Sequence, residues 1–167
     1  MDVTKSSRHS KITGDFAESL VLYWLSKYGF ECAQVDHTGI DLIARNPTSG
    51  ELMGISVKSR SRNTGKEKTH VRVDSPEGFE KVRAACQAFG CVPYFAIVVD
   101  ASTTISCFIL SMDHLLELHP LGQGSCGWSM RPAWLRRYET DPEVRIFRFE
   151  SETVRWWDRP GKGPGDV

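Results

Sequence analysis

Three short stretches carry the side chains best suited to chemistry: Gly14-Asp15-Phe16-Ala17-Glu18, Gly39-Ile40-Asp41 and Ser56-Val57-Lys58. Between them they offer carboxylates, a hydroxyl and an ammonium, groups able to hold a cation, move a proton or meet a phosphate. Side chains alternate faces along a strand, so Ser56 and Lys58 share a face if the third stretch is extended. Asp41 lies beside them if its strand pairs with theirs, and a helix packed on that same face brings Glu18 to the same place. Each residue also has an ordinary structural role open to it. Glu18 fits the solvated side of an amphipathic helix, Asp41 the end of a turn after Gly39, and Lys58 an edge strand, where lysine discourages aggregation.

The elements that must position these residues are legible in the apolar spacing. Residues 14–28 place Phe16, Leu20, Tyr23 and Trp24 at helical intervals and stop at Gly29, a natural residue after a helix. Residues 30–37 alternate as a strand, Thr38-Gly39 supplies a turn, and residues 40–44 read as a second strand. After the turn residues from Asn46 to Gly50, a third strand begins at Glu51. A helix followed by a three-stranded meander is predicted. Residues 60–70 read as a polar, basic loop and 71–73 as a short strand. Asp74 precedes Pro76 and Glu77 as in the first turn of a helix, and Phe79, Val82, Cys86 and Phe89 then recur at helical spacing up to Gly90. Apolar strands over 94–100 and 105–111, a helix over 112–118 and a late strand over 144–149 complete the reading, with no internal repeat.

The order of these elements and motifs resembles the PD-(D/E)XK nuclease superfamily, in its restriction-endonuclease-like and Holliday-junction-resolvase-like branch. The resemblance spans residues 11–110 and rests on an acid on the first helix, an acid at the second strand and an X-Lys element on the third. It implies an α/β fold with a restriction-endonuclease-like core, a mixed β-sheet flanked by helices in the order α-β-β-β-α-β, and a C-terminal appendage. It also implies metal-dependent hydrolysis of DNA phosphodiester bonds, with Mg²⁺ or Mn²⁺ as the cofactor. By that similarity Asp41 is the central metal ligand, Glu18 a helix-borne acid that binds the metal or its water, and the Val57 carbonyl a further ligand. Lys58 positions or deprotonates the attacking water or offsets charge on the phosphate. Mg²⁺ suits such a set because it is hard and prefers carboxylate and water oxygens. Ser56 is a departure, standing where the family pattern places Glu, Asp or sometimes Gln; Asp36 and Glu51 are candidate substitutes. The alternative is a weakened nuclease fold retained as a DNA-binding module or a protein-interaction domain.

Formal net charge is zero, so any nucleic-acid contact must come from local clustering. Six cations, Lys58, Arg60, Arg62, Lys66, Lys68 and Arg72, stand against the single acid Glu67 directly after the site strand. That suits DNA backbone contacts, and a solvated loop is the plain alternative. His37 and Gln87 are accessory candidates, against a turn and an exposed helix position. Five cysteines without a C-x-x-C pair indicate neither a disulfide framework nor a zinc site. No apolar run approaches the roughly 20 residues that span a bilayer. The polar N-terminus lacks a signal-like apolar stretch, so a cytoplasmic chain without membrane attachment is expected. The expected organisation is a core over 11–118, an extension over 119–157 that packs on the core or on a partner subunit in a homodimer, and a disordered tail over 158–167. In the extension, Trp128, Arg131, Trp134, Arg136 and Arg137 suit either base stacking or packing.

Overall fold

The computed structural model describes residues 4–63, 65–101 and 103–151. Helix α1 (His9–Lys27) starts ahead of the Gly14 expected from the sequence. Nothing between His9 and Gly14 breaks a helix, and Thr13 hydrogen-bonds back to the His9 carbonyl at 2.7 Å. Gly14 is carried inside at a cost of about 1 kcal/mol relative to alanine. The meander follows as β1 (Glu31–His37), β2 (Ile40–Arg45) and β3 (Leu52–Arg62), each antiparallel to the one before.

β3 reaches three residues into the stretch expected to loop out. Residues from Met53 to Arg62 each have a parallel partner on β5 (Val92–Ala101), so the ladder satisfies backbone groups that a loop would leave to solvent. Between these strands run β4 (Val71–Asp74) and α2 (Pro76–Phe89). Ser75 caps α2 by accepting from the Gly78 N–H at 3.3 Å, and Gly90, at φ 65°, ends it. Next come β6 (Thr104–Ser111), α3 (Met112–Leu118), β7 (Cys126–Trp128), α4 (Pro132–Thr140) and β8 (Arg145–Glu150). The main sheet has the order β1-β2-β3-β5-β6-β8, and β4 pairs with β7 in a separate ribbon. Because β3 and β5 run parallel while their neighbours are antiparallel, the sheet is mixed.

Helices cover both faces of the main sheet. On one face, Ala17, Val21 and Leu25 of α1 pack with Leu42, Ala44, Ile55 and Val98. On the other, Phe79 and Val82 of α2 pack with Phe95 and Ile97. In the β3–β5 ladder Ser56 is paired with Phe95 and Lys58 with Ile97, so both point to the α2 side. The expectation that α1 lies on the face of Lys58 is therefore corrected. Strand alternation fixes which residues share a face but not which helix covers it, and the more apolar set of Ile55 and Val57 takes α1.

Residues after 118 contribute to both the sheet and the core. β8 is hydrogen-bonded to β6, and Trp128 lies fully buried, stacked on Tyr138 at 3.9 Å and beside Phe108 at 5.2 Å. Trp134 is half-buried under the Arg137 guanidinium, while Arg131 and Arg136 are exposed. Residues 152–157 of the extension and the whole of 158–167 lie outside the described residues. No helix among the described residues is long and apolar enough to cross a membrane.

Candidate active site

The site is built where β2 and β3 part company. Their pairing holds from Arg45 to Leu42 and stops there, so the next backbone groups toward Asp41 need other partners. Asp41 supplies one with its side chain: Oδ2 accepts the Val57 N–H at 2.6 Å, replacing a ladder bond with a charge-assisted one. Gly39 makes this placement possible. It has φ 110°, and a Cβ there would lie 2.4 Å from the Lys81 carbonyl, so only glycine lets the β1–β2 turn press against the backbone of α2.

Asp41, Ser56 and Lys58 line one groove of about 270 Å³ together with the first turns of α2. Ser56 is buried, at 2% exposure. The Lys58 ammonium pairs with Asp74 Oδ2 at 2.8 Å, and both side chains are largely buried, at 28% and 20% exposure. Asp74 is the last residue of β4; its other oxygen, Oδ1, accepts the Ser75 N–H at 2.9 Å. Gly78, one turn on, leaves room for this carboxylate: a Cβ there would stand 1.8 Å from Oδ1.

Burial sets the titration of the acids. Desolvation raises the Asp41 carboxyl above its ordinary value, against the opposing pull of the Val57 N–H, Lys58 and the Ser56 hydroxyl. Glu18, reaching in from α1, is also raised, first by burial and further by the charge of Asp41, although Gln34 donates to its Oε2 at 2.8 Å. Glu18 itself does not line the groove, whereas Asp41 and Asp74 give it hard oxygen donors suited to a divalent cation. A cation also relieves the penalty that burial puts on the charged form of Asp41. The Ser56 hydroxyl is a poorer donor to such an ion than a carboxylate.

The other residues picked out from the sequence disperse. Arg60, Lys66, Lys68 and Arg72 are exposed, with Arg72 resting on the Gly124 carbonyl and Lys5 joining the patch through the Ser61 carbonyl at 2.7 Å. Arg62 turns inward: its guanidinium donates to the His70 carbonyl, and burial lowers its pKa. His37 contacts its neighbour's carbonyl and the edge of Phe89, and Gln87 sits on the exposed side of α2; neither lines the groove. Of the two acids considered as substitutes for Ser56, Glu51 bonds the Tyr94 hydroxyl at the far end of β3, and Asp36 is exposed on β1. Asp74 was legible in the sequence only as part of a helix start. The sole further hint was a glycine in the first turn of α2, and no local rule tells that it makes space for an acid facing a lysine on another strand.

No protein-family model and no curated protein sequence matches the chain. Among solved structures, Hjc of Archaeoglobus fulgidus, a Holliday junction resolvase from an archaeal hyperthermophile, superposes with a TM-score of 0.51 at 16% identity. The match covers 71% of this chain and 92% of the resolvase. The chain has a restriction-endonuclease-like fold. Within that fold, β3 carries the sequence Ser56-Val57-Lys58 beside Asp41 of β2. The restriction-endonuclease-like core accounts for both layers of helices around the mixed sheet.

Proposed function

We propose that this protein processes DNA as a divalent-metal-dependent endonuclease, hydrolysing phosphodiester bonds. One observation carries the reading: a half-buried carboxylate, Asp41, and an ammonium, Lys58, line one groove at the parting of two strands, on a fold like that of a resolvase. Asp41 would hold the cation, Mg²⁺ or Mn²⁺, with Glu18 acting on it directly or through a bound water. The bound ion supplies charge neutralisation at the phosphate and a more acidic water. Lys58 orients that water or offsets charge on the phosphate. Arg60, Lys66, Lys68 and Arg72 hold the DNA backbone, a contact that carries no sequence information. The resolvase likeness favours branched DNA as the substrate class to try first.

A second reading draws on Ser56, whose neutral, buried hydroxyl favours a nuclease fold that binds DNA without cutting it. Incubating the parent with branched, duplex and single-stranded DNA, with Mg²⁺, Mn²⁺ or a chelator, separates the two. Metal-dependent cleavage lost in Lys58→Ala supports the enzyme. DNA binding without cleavage under any metal supports the binding module, and neither binding nor cleavage removes both.

A further inference from the structure

The groove contains an acid that the sequence pattern does not place there. We infer that Asp74, at the junction of β4 and α2, is the second metal-binding carboxylate of the site and stands in for the acid that Ser56 does not provide. The inference rests on the endonuclease reading above and adds a residue to it.

Four observations carry it. Asp74 lines the same groove as Asp41 and Ser56, whereas Glu51 and Asp36 point elsewhere. Its carboxylate is fixed: Oδ1 is held by the Ser75 N–H, and Oδ2 is directed at Lys58. Gly78 keeps a space that any other side chain would fill, since a Cβ would meet Oδ1 at 1.8 Å and Cγ at 2.1 Å. Lys58 lines the groove with Asp41 and is paired with Asp74 at 2.8 Å, so its ammonium already holds the cation position beside that carboxylate, the place a metal would compete for. Glu77 also lines the groove, but its side chain is exposed to solvent.

If Asp74 merely holds Lys58, its loss weakens binding only through the freed ammonium, and Lys58→Met and Asp74→Asn/Lys58→Met bind Mn²⁺ equally. If it is a ligand, its loss weakens binding by at least about tenfold, the lower end of what even an outer-shell partner contributes. Lys58→Met would then tighten binding by removing the competing ammonium. The experiment is calorimetric titration of the full chain with Mn²⁺, with thermal melts to confirm folding, on the parent, Asp41→Asn, Asp74→Asn, Lys58→Met, Asp74→Asn/Lys58→Met and Asp74→Asn/Ser56→Asp. The expected result is binding in the parent, loss in both single Asn variants, binding in Asp74→Asn/Lys58→Met at least about tenfold weaker than in Lys58→Met, and recovery in Asp74→Asn/Ser56→Asp, where an acid returns to position 56. Binding lost in Asp41→Asn but intact in Asp74→Asn, or equal in Lys58→Met and Asp74→Asn/Lys58→Met, overturns the role of Asp74 and leaves the endonuclease reading standing. A parent that binds no Mn²⁺ overturns both.

Discussion

Gly78→Ala gives a sharp test of how the groove is built, because a single methyl group must displace the Asp74 carboxylate. The added Cβ would lie 1.8 Å from Oδ1 and 2.6 Å from Oδ2. Ordinary contact distance is about 3.5 Å, so the carboxylate must retreat by roughly 1.5 Å. That breaks the 2.9 Å bond from Ser75 and the 2.8 Å pair with Lys58. A hydrogen bond to a charged group is worth about 1.5–3 kcal/mol and an ion pair of this exposure up to about 1 kcal/mol. Alanine returns up to about 1 kcal/mol of helix propensity. The balance is a destabilisation of roughly 2 kcal/mol, a fall in melting temperature of about 4–8 °C for a chain of this size. Gly14→Ala in α1 is the control, since nothing lies within 4 Å of its Cβ position and the same change should raise stability by about 1 kcal/mol. Thermal and urea denaturation of both variants measure the two signs. A Gly78→Ala chain as stable as Gly14→Ala would refute the account of Asp74 as a fixed carboxylate seated over the first turn of α2.

Other outcomes follow from the charges. Reversing Arg60, Lys66 and Lys68 to Glu should weaken binding to unrelated DNA sequences alike and flatten the salt dependence, whereas Arg62→Ala should instead lower stability, because that guanidinium is spent on His70; filter binding and melts read the two. Asp41 has a folded pKa raised above its unfolded value near 3.8, so its contribution to stability is fully present below that value and is lost as pH rises through the folded pKa. Asp41→Asn should therefore gain stability relative to the parent between acid and neutral pH, and a constant difference across that range would contradict the burial argument. Burial works to lower the His114 pKa, but hydrogen bonds to Asp141 and Glu117 prevail and raise it. The clasp it forms between α3 and the end of α4 should hold fully below pH about 6.5 and weaken as pH rises through the folded pKa, a loss that His114→Gln should abolish in pH-dependent melts.

Most of the scaffold was legible because apolar periodicity is a local property. The spacing of Phe79, Val82 and Cys86 and the alternation of β2 report burial that neighbouring residues already encode. Asp41 and Lys58, singled out by their order along the chain, line one groove. What stayed hidden depends on contacts between distant segments. The parallel ladder that extends β3 to Arg62 comes from a strand more than thirty residues on, and the inward turn of Arg62 is set by His70. The choice of α2 over α1 for the face of Lys58 is a tertiary preference with no local trace. Trp128 and Tyr138 reveal the same limit: glycine-rich and arginine-rich surroundings mask two aromatics that meet only after β7 and α4 fold onto β6.

The measurement closest to the central claim is single-turnover cleavage of branched DNA by the parent and by Asp41→Asn, with Mn²⁺ present and with folding of both confirmed by thermal melts. The account requires cleavage by the parent that a chelator abolishes and that Asp41→Asn lacks while still binding the DNA. Equal cleavage by the two proteins would place the chemistry elsewhere, and no cleavage by a folded, DNA-bound, metal-supplied parent would contradict the claim that this groove is a nuclease site.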